Sequence, residues 1–440
     1  MSTQSLPPVL PGHPNLWYPL VRPSKGVQRI VVGSPKAVDL AQQCASHYEH
    51  LPKGWTLAVH HHGSQNIAPA GSWHESFLVL PSSGGARALL SNQSTAAFRL
   101  GIPLLPGGRL RTRLMRASLT LPGAAQMLSL QGRERVTMIT KPENPDDQSA
   151  LHDMQTPLAV CEGVPGPLRK IVIATRDSNG DHFFKVACTP YAAQSILHET
   201  HALAALKGSG LAPNLLARDT ASAPRWFAQD ALQGVRPKGP LGPTALSWLT
   251  SLADRKYSRR SAEAVLPQLF DPLAAGSKHE AFRDLETVLR SHLSGTMLPC
   301  TASHGDFTPW NARVHDGRFM AFDWEFYRES APALFDLFHY TLQTGVLMQK
   351  VPAQDALERA LQQARDLGYP LCRISGVQDD EIELLAAIYV MSIADRDAVL
   401  HRIERPGFKQ VEWLESARIL WARQLTDRLR ATSRFLSKVS

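Results

Sequence analysis

The segment Ser303–Glu325, SHGDFTPWNARVHDGRFMAFDWE, gathers two histidines, four carboxylates and an asparagine into one short stretch. Asp306 and Asn311 are separated by Phe307-Thr308-Pro309-Trp310. Proline has no N–H to give to a strand ladder, so this part reads as a loop. The chain then runs through Asn311–Val314, turns at Asp316-Gly317 and returns as Arg318–Phe322. Asp-Gly between two such runs is a hairpin signal, and the hairpin brings Asp323 back beside Asn311. A carboxylate and an amide oxygen are hard donors of the kind Mg²⁺ takes. Asp306 lies one loop away, placed to accept a proton from a hydroxyl. A base beside a metal-holding pair is the outline of phosphoryl transfer. The bland alternative is an acidic hairpin arising by chance.

Two residues upstream belong to the same chemistry. Lys185 lies in HFFKVA, a run otherwise apolar and aromatic. A lysine there is costly to bury without a counter-charge. Glu199 follows fourteen residues later, on a predicted helix, with Ile196 and Leu203 on its side by i±3 and i±4 spacing. A lysine on a strand and a glutamate on the packing face of the next helix can satisfy each other. Taken singly, either is more commonly an exposed charge.

The surrounding elements are legible in outline. Residues 1 to about 25 are Pro-rich and read as an irregular arm. Strand-like runs follow at GVQRIVVGS, WTLAVHHH, SFLVLPS and RVTMITK. A helix is expected over Ser34–Leu51, with Ser34 as its cap and Pro35 at its first position. The polar, Pro-broken stretch 142–155 reads as a domain boundary. Beyond it, LAVCEGVPGPLRKIVIATRDSNGDHFFKVA reads as three strands, the second joined to the third through Asn179-Gly180. A helix over Ala192–Gly208 comes next, then RWFAQDALQGV as strand and connector. Residues 243–298, and most of 332–440, read as helical.

HGDFTPWN followed by FDWE resembles the catalytic and metal-binding motifs of the aminoglycoside phosphotransferase and choline kinase family, relatives of the protein kinases. The resemblance runs over about residues 155–345, with the motifs in the family's order. It implies an α+β, bilobal protein-kinase-like fold with a small β-rich lobe at 155–233 and a larger helical lobe at 234–440. A separate α/β domain at 1–145 precedes them and is not covered by the resemblance. It also implies ATP and Mg²⁺ as cofactors, Asp306 as base, and Asn311 and Asp323 as metal ligands. Lys185 is then the phosphate-holding lysine and Glu199 its partner. Gly163 and Gly166 fall where a phosphate-covering loop belongs, although GVPGP is not a full glycine motif. Ala228–Leu232 fall at the adenine hinge, which marks Asp230 and Leu232. After Asp323 the chain has Trp-Glu where protein kinases have Phe-Gly. Glu325 is then either a further metal contact or a structural hydrogen-bonder.

The acceptor follows in part from what is missing. Protein kinases carry a long activation segment after the metal aspartate, whereas AFDWEFYRESAPALFD passes straight into helix. Pro332 and Asp336 match the short segment of the small-molecule branch, in which the aspartate is structural. Charge over 231–440 is close to neutral, which disfavours a polycationic antibiotic and leaves a sugar, a glycan end or an amino alcohol, with a sugar-type hydroxyl favoured. The competing reading is a pseudokinase or nucleotide-binding scaffold whose N-terminal domain carries a binding role, although all five key positions are filled.

Composition is compatible with this reading. The 440 residues are 43% hydrophobic and 20% charged, the balance of a globular protein, and no run approaches the roughly 20 apolar residues of a membrane span. The start lacks the pattern of a secretory signal, and five scattered cysteines without a CxxC fit free thiols, so a cytoplasmic location is expected. The net charge of +8 is dispersed, which argues against a nucleic-acid partner. His198–His201 is not a zinc motif, and His60–His62 alternate faces if they lie on a strand. Asp379, Asp380, Glu381 and Glu383 read as acids complementing a helix start.

Overall fold

The computed structural model describes residues 27–33, 73–82, 85–91, 95–104, 135–142, 156–163, 166–220, 224–270, 279–366, 368–403 and 412–439. The helix expected over 34–51, the strand expected at 55–62 with its three histidines, and the boundary expected near 142–155 lie mainly or wholly outside them. The chain divides into two compact units, Met1–Leu197 with Leu215–Ala231, and His198–Asn214 with Leu232–Ser440.

In the first unit the described strands form one sheet. They are β1 (Val27–Gly33), β2 (Trp73–Ser82), β3 (Gly85–Ser91), β4 (Arg135–Pro142), β5 (Thr156–Glu162), β6 (Lys170–Asp177), β7 (Gly180–Ala187), β8 (Leu215–Arg218) and β9 (Trp226–Asp230). Their order is β1-β4-β2-β3-β5-β6-β7-β9-β8. Neither β3 nor the helix α1 (Thr95–Gly101) stands out in the sequence pattern. Yet β3 joins the strands before residue 142 to those after 155, Ala88–Leu90 pairing antiparallel with Ala159–Cys161. Helix α1 covers this junction. Leu78, Leu90, Phe98, Leu158, Ala159 and Ala174 are all buried in one core there. Gly101 sits so close that a Cβ would lie 2.3 Å from Leu90 Cδ2. The short β6–β7 hairpin turns at Ser178-Asn179, where Asp177 accepts the Asn179 N–H at 2.7 Å.

The second unit is mainly helical. It contains α3 (Pro243–Asp254), α4 (Glu280–Leu293), α5 (Phe335–Leu347), α6 (Ala353–Asp366), α7 (Tyr369–Ser375), α8 (Ile382–Ile403) and α9 (Glu412–Val439). Helix α2 (Pro190–Ala205) runs across the division between the units. A strand, β10 (Tyr257–Ser261), interrupts the stretch expected to be helical. It pairs with β11 (Met297–Ser303), which pairs in turn with β14 (Arg328–Pro332). The polar residues of β10 have no helical periodicity, and β11 supplies an edge for them. The hairpin β12 (Ala312–His315) and β13 (Arg318–Ala321) closes at Asp316-Gly317, both with positive φ, as the sequence predicts.

An aromatic core holds the strands to α3. Trp248 stacks on Phe307 at 4.5 Å, lies 5.7 Å from Trp324, and donates its indole N–H to Leu211 O at 3.1 Å. Helix α9 is tied to α6 by Trp421, whose indole N–H reaches Ala353 O at 2.7 Å. Two of the acids at the start of α8 are committed to structure. Glu381 accepts the Gln378 N–H at 2.8 Å in a capping box, and Glu383 pairs with Arg365 and Arg428.

Candidate active site

The loop after β11 is shaped by close packing. Gly305 has φ +81°, and a Cβ there would lie 2.3 Å from Phe326 O. Only glycine combines that conformation with that approach. His304 is fully buried. Its Nε2 lies 3.0 Å from Phe322 O, its Nδ1 accepts the Asp306 N–H at 3.2 Å, and its ring packs 4.4 Å from Trp324. Buried Asp336, at the start of α5, accepts the N–H groups of His304 at 2.7 Å and Gly305 at 2.9 Å. A carboxylate spent on two backbone donors is structural, the role expected of it.

Asp306 projects from this braced loop and is partly open. Its Oδ2 accepts the Asn311 amide at 2.8 Å. Its Oδ1 accepts from His339 Nε2 at 2.9 Å, with Arg396 Nη2 at 3.7 Å. Arg396 is held by donation to Gly305 O at 2.9 Å and by the Phe326 ring at 4.4 Å. Burial works to raise the Asp306 pKa. The His339 hydrogen bond and the Arg396 charge outweigh it and hold the carboxyl well below the usual carboxylate range. The group is therefore an anion at neutral pH, fixed in direction by donors on both oxygens.

Asn311 is buried and gives the same amide nitrogen to Asp306 O at 3.0 Å. With its nitrogen so engaged, its carbonyl oxygen faces away from Asp306. Phe322 donates its N–H to Asn311 O at 2.9 Å, which sets Asp323 one residue beyond that junction with φ +72°. Trp324 is fully buried, so the chain on either side of it presents Asp323 and Glu325 as partly exposed. Among the described residues no group of three or more His, Cys, Asp or Glu side chains forms a protein-only metal cage. An amide oxygen and one carboxylate nevertheless fit Mg²⁺, which commonly completes its shell with water and phosphate oxygens.

Glu199, also fully buried, accepts the backbone N–H of Trp324 at 3.3 Å, so it anchors the Asp-Trp-Glu segment. Leu232 lies in the connector that follows β9. In the first unit, Lys185 is buried on β7, opposite Val172 on one side and Phe227 on the other. Its ammonium stands 5.7 Å from the Phe227 ring. Gly163 and Gly166 lie in the β5–β6 connection. Gly163 N donates to Lys170 O at 2.8 Å, and a Cβ on Gly163 would lie 3.1 Å from that oxygen. Asp230 ends β9, where its carboxylate lies 3.8 Å from His182 Nδ1.

Sequence reasoning missed His339, Tyr389 and Arg396. His339 comes three residues after Asp336 on a mostly buried helix, and Arg396 sits between two aspartates on α8. A lone histidine on a buried helix carries no local signal. The spacing Asp336–His339 becomes informative only once Asp336 is known to hold the loop.

No protein-family model matches the chain, and no curated protein sequence does either. Solved structures similar to part of it include a thermostable mutant of an aminoglycoside phosphotransferase in ternary complex with AMP-PNP and hygromycin B. The identity is 11%, over 65% of this chain and 98% of that one, with a TM-score of 0.43. An ethanolamine kinase from Plasmodium vivax matches at 12% identity over 61% of this chain and 82% of that one, with a TM-score of 0.37. A choline kinase from Streptococcus pneumoniae matches at 14% identity over 59% and 90%, with a TM-score of 0.37. At such identities the site has to carry the functional reading.

Proposed function

We propose that the chain is an ATP- and Mg²⁺-dependent phosphotransferase of the protein-kinase-like, small-molecule branch, moving the γ-phosphoryl group to a hydroxyl. The observation that carries this is Asp306: an ionised carboxylate, partly open, aimed by Asn311, His339 and Arg396 on a loop pinned by Asp336. In the reaction the acceptor oxygen forms a bond to the γ-phosphorus as the bond to the β–γ bridging oxygen breaks. The acceptor proton passes to Asp306, and ADP leaves with the bridging electrons. A low-pKa carboxylate is a weak base, so its main work is to aim the hydroxyl and to take the proton late, as a loose transition state allows.

Asn311 and Asp323 hold Mg²⁺ in this reading; the ion, when bound, neutralises charge on the phosphates. Lys185 takes the α- and β-phosphates, with Glu199 as the acid that positions it. Gly163 and Gly166 allow the β5–β6 turn to approach the phosphates, and the backbone at Asp230–Leu232 meets the adenine. The acceptor is a small molecule with a sugar-type hydroxyl, supported by the short path from Asp323 to α5 and by the near-neutral charge of the second unit.

Calorimetric titration with ATP, with and without Mg²⁺, tests the binding half of the proposal. Wild type is expected to bind Mg·ATP, Lys185→Ala to lose most of that affinity, and Asp323→Ala to lose its Mg²⁺ dependence. Equal binding by all three proteins would overturn these assignments.

A further inference from the structure

His339 does not belong to the motif set, and its contacts are specific. It is 1% exposed. Its Nε2 lies 2.9 Å from Asp306 Oδ1, and its Nδ1 lies 3.2 Å from the hydroxyl of Tyr389 on α8. An ionised carboxylate only accepts, so Nε2 must carry the hydrogen. The neutral ring then has its lone pair at Nδ1, and the Tyr389 O–H donates to it. Tyr389 is itself 1% exposed and shares a hydrogen bond with Gln343. Phe335 lies parallel to the imidazole at 6.3 Å, and Tyr389 stands edge-on at 5.8 Å. The ring is thus fixed in tautomer by one neighbour and in plane by two.

We infer that His339 is a positioning residue for phosphoryl transfer, holding the Asp306 carboxylate in the orientation that accepts the acceptor hydroxyl, with Tyr389 selecting the Nε2–H tautomer. The inference rests on the reading of Asp306 as the base. Asn311 alone restrains only Oδ2, and a carboxylate bonded through one oxygen still rotates about its Cβ–Cγ bond. His339 fixes the second oxygen. Burial favours the neutral ring, against the pull of Asp306, so the contact is a hydrogen bond from an uncharged donor. Burial also pushes the Tyr389 phenol up to about 12, which keeps its proton available to Nδ1. The three groups come from the loop after β11, from α5 and from α8, so the arrangement ties the loop to both helices.

The test uses the full chain with Mg·ATP as the probe and water as the acceptor, reading kcat and the KM for ATP. His339→Phe keeps the ring packing and removes the donor. It should lower kcat about 10- to 100-fold, the range for losing a hydrogen bond to a charged group, with KM changed less than about twofold. His339→Gln, whose amide N–H reaches the place of Nε2, should recover most of that loss. Tyr389→Phe should lower kcat by about threefold, the weight of one neutral hydrogen bond. A merely structural histidine would not give a kcat-only loss repaired by glutamine. Wild-type turnover from His339→Phe, or glutamine no better than phenylalanine in a folded protein, overturns the inference. Asp306→Ala in the same assay keeps the two readings apart: if it turns over like wild type, the base assignment fails, whatever His339 does. Imidazole ¹⁵N shifts of the wild type require neither turnover nor a variant. A protonated Nε2 with a bare Nδ1 is expected, and the opposite tautomer would sink the inference.

Discussion

Gly305 and Gly317 provide an internal comparison, because both have φ near the left-handed region and only one is crowded. Gly317 has φ +73°, and a Cβ there would meet nothing within 4 Å. Gly317→Ala should therefore pay only the left-handed penalty of about 1–2 kcal/mol. Gly305 has φ +81°, and its Cβ would fall 2.3 Å from Phe326 O and 2.7 Å from Phe326 Cβ. That oxygen contact is well over an ångström inside the ~3.5 Å at which heavy atoms rest against each other. Phe326 cannot retreat freely, because Arg396 lies on its ring and also bonds Gly305 O. Overpacking of this kind adds about 1–3 kcal/mol, so Gly305→Ala should total about 2–5 kcal/mol. Urea unfolding followed by tryptophan fluorescence reports on this region directly, since Trp248 and Trp324 lie in the adjoining core. Gly305→Ala should also lose more turnover than its unfolded fraction explains, because the displaced loop carries Asp306. Equal destabilisation by the two substitutions would refute the argument that backbone crowding shapes the loop.

Asp336→Ala leaves the buried His304 N–H without its acceptor, while the Gly305 N–H keeps Ser303 Oγ at 3.1 Å, and should cost about 1–3 kcal/mol by denaturant midpoint. Asn311→Ala should raise the Mg²⁺ concentration for half-maximal turnover at least about 10-fold in a magnesium titration. Burial, aided by Asp379, pushes the Cys372 thiol up to about 11. The thiolate is the reactive form, so alkylation of Cys372 at pH 8, followed by mass spectrometry, should be slow and rise about tenfold per pH unit.

Local features were readable because they are written in neighbouring residues. Asp-Gly specifies the β12–β13 turn, Pro309 excludes a strand, and the five-residue step from Asp306 to Asn311 suffices for one to bond the other. The strands β5, β6 and β7 follow from their apolar runs. What joins them to the rest does not. The β3–β5 pairing links residues some 70 apart, and nothing in Gly85–Ser91 singles out that partner. The contacts on Asp306 are hidden for the same reason. His339 arrives from 33 residues away, and Arg396 and Tyr389 from α8. Helix packing, rather than any local pattern, brings their side chains to the loop. Glu199 was legible as a buried acid on a helix face, while its contact with the Trp324 backbone lies 125 residues downstream.

ADP release by wild type and Asp306→Ala tests the central claim most directly, measured with Mg·ATP against a panel of sugars, amino alcohols and aminoglycosides. The account predicts acceptor-dependent ADP release by the wild type and a loss of about 10²–10⁴-fold in the variant, with Mg·ATP still bound. Release that no acceptor raises above the water background, or that survives the loss of the Asp306 carboxylate, would contradict it.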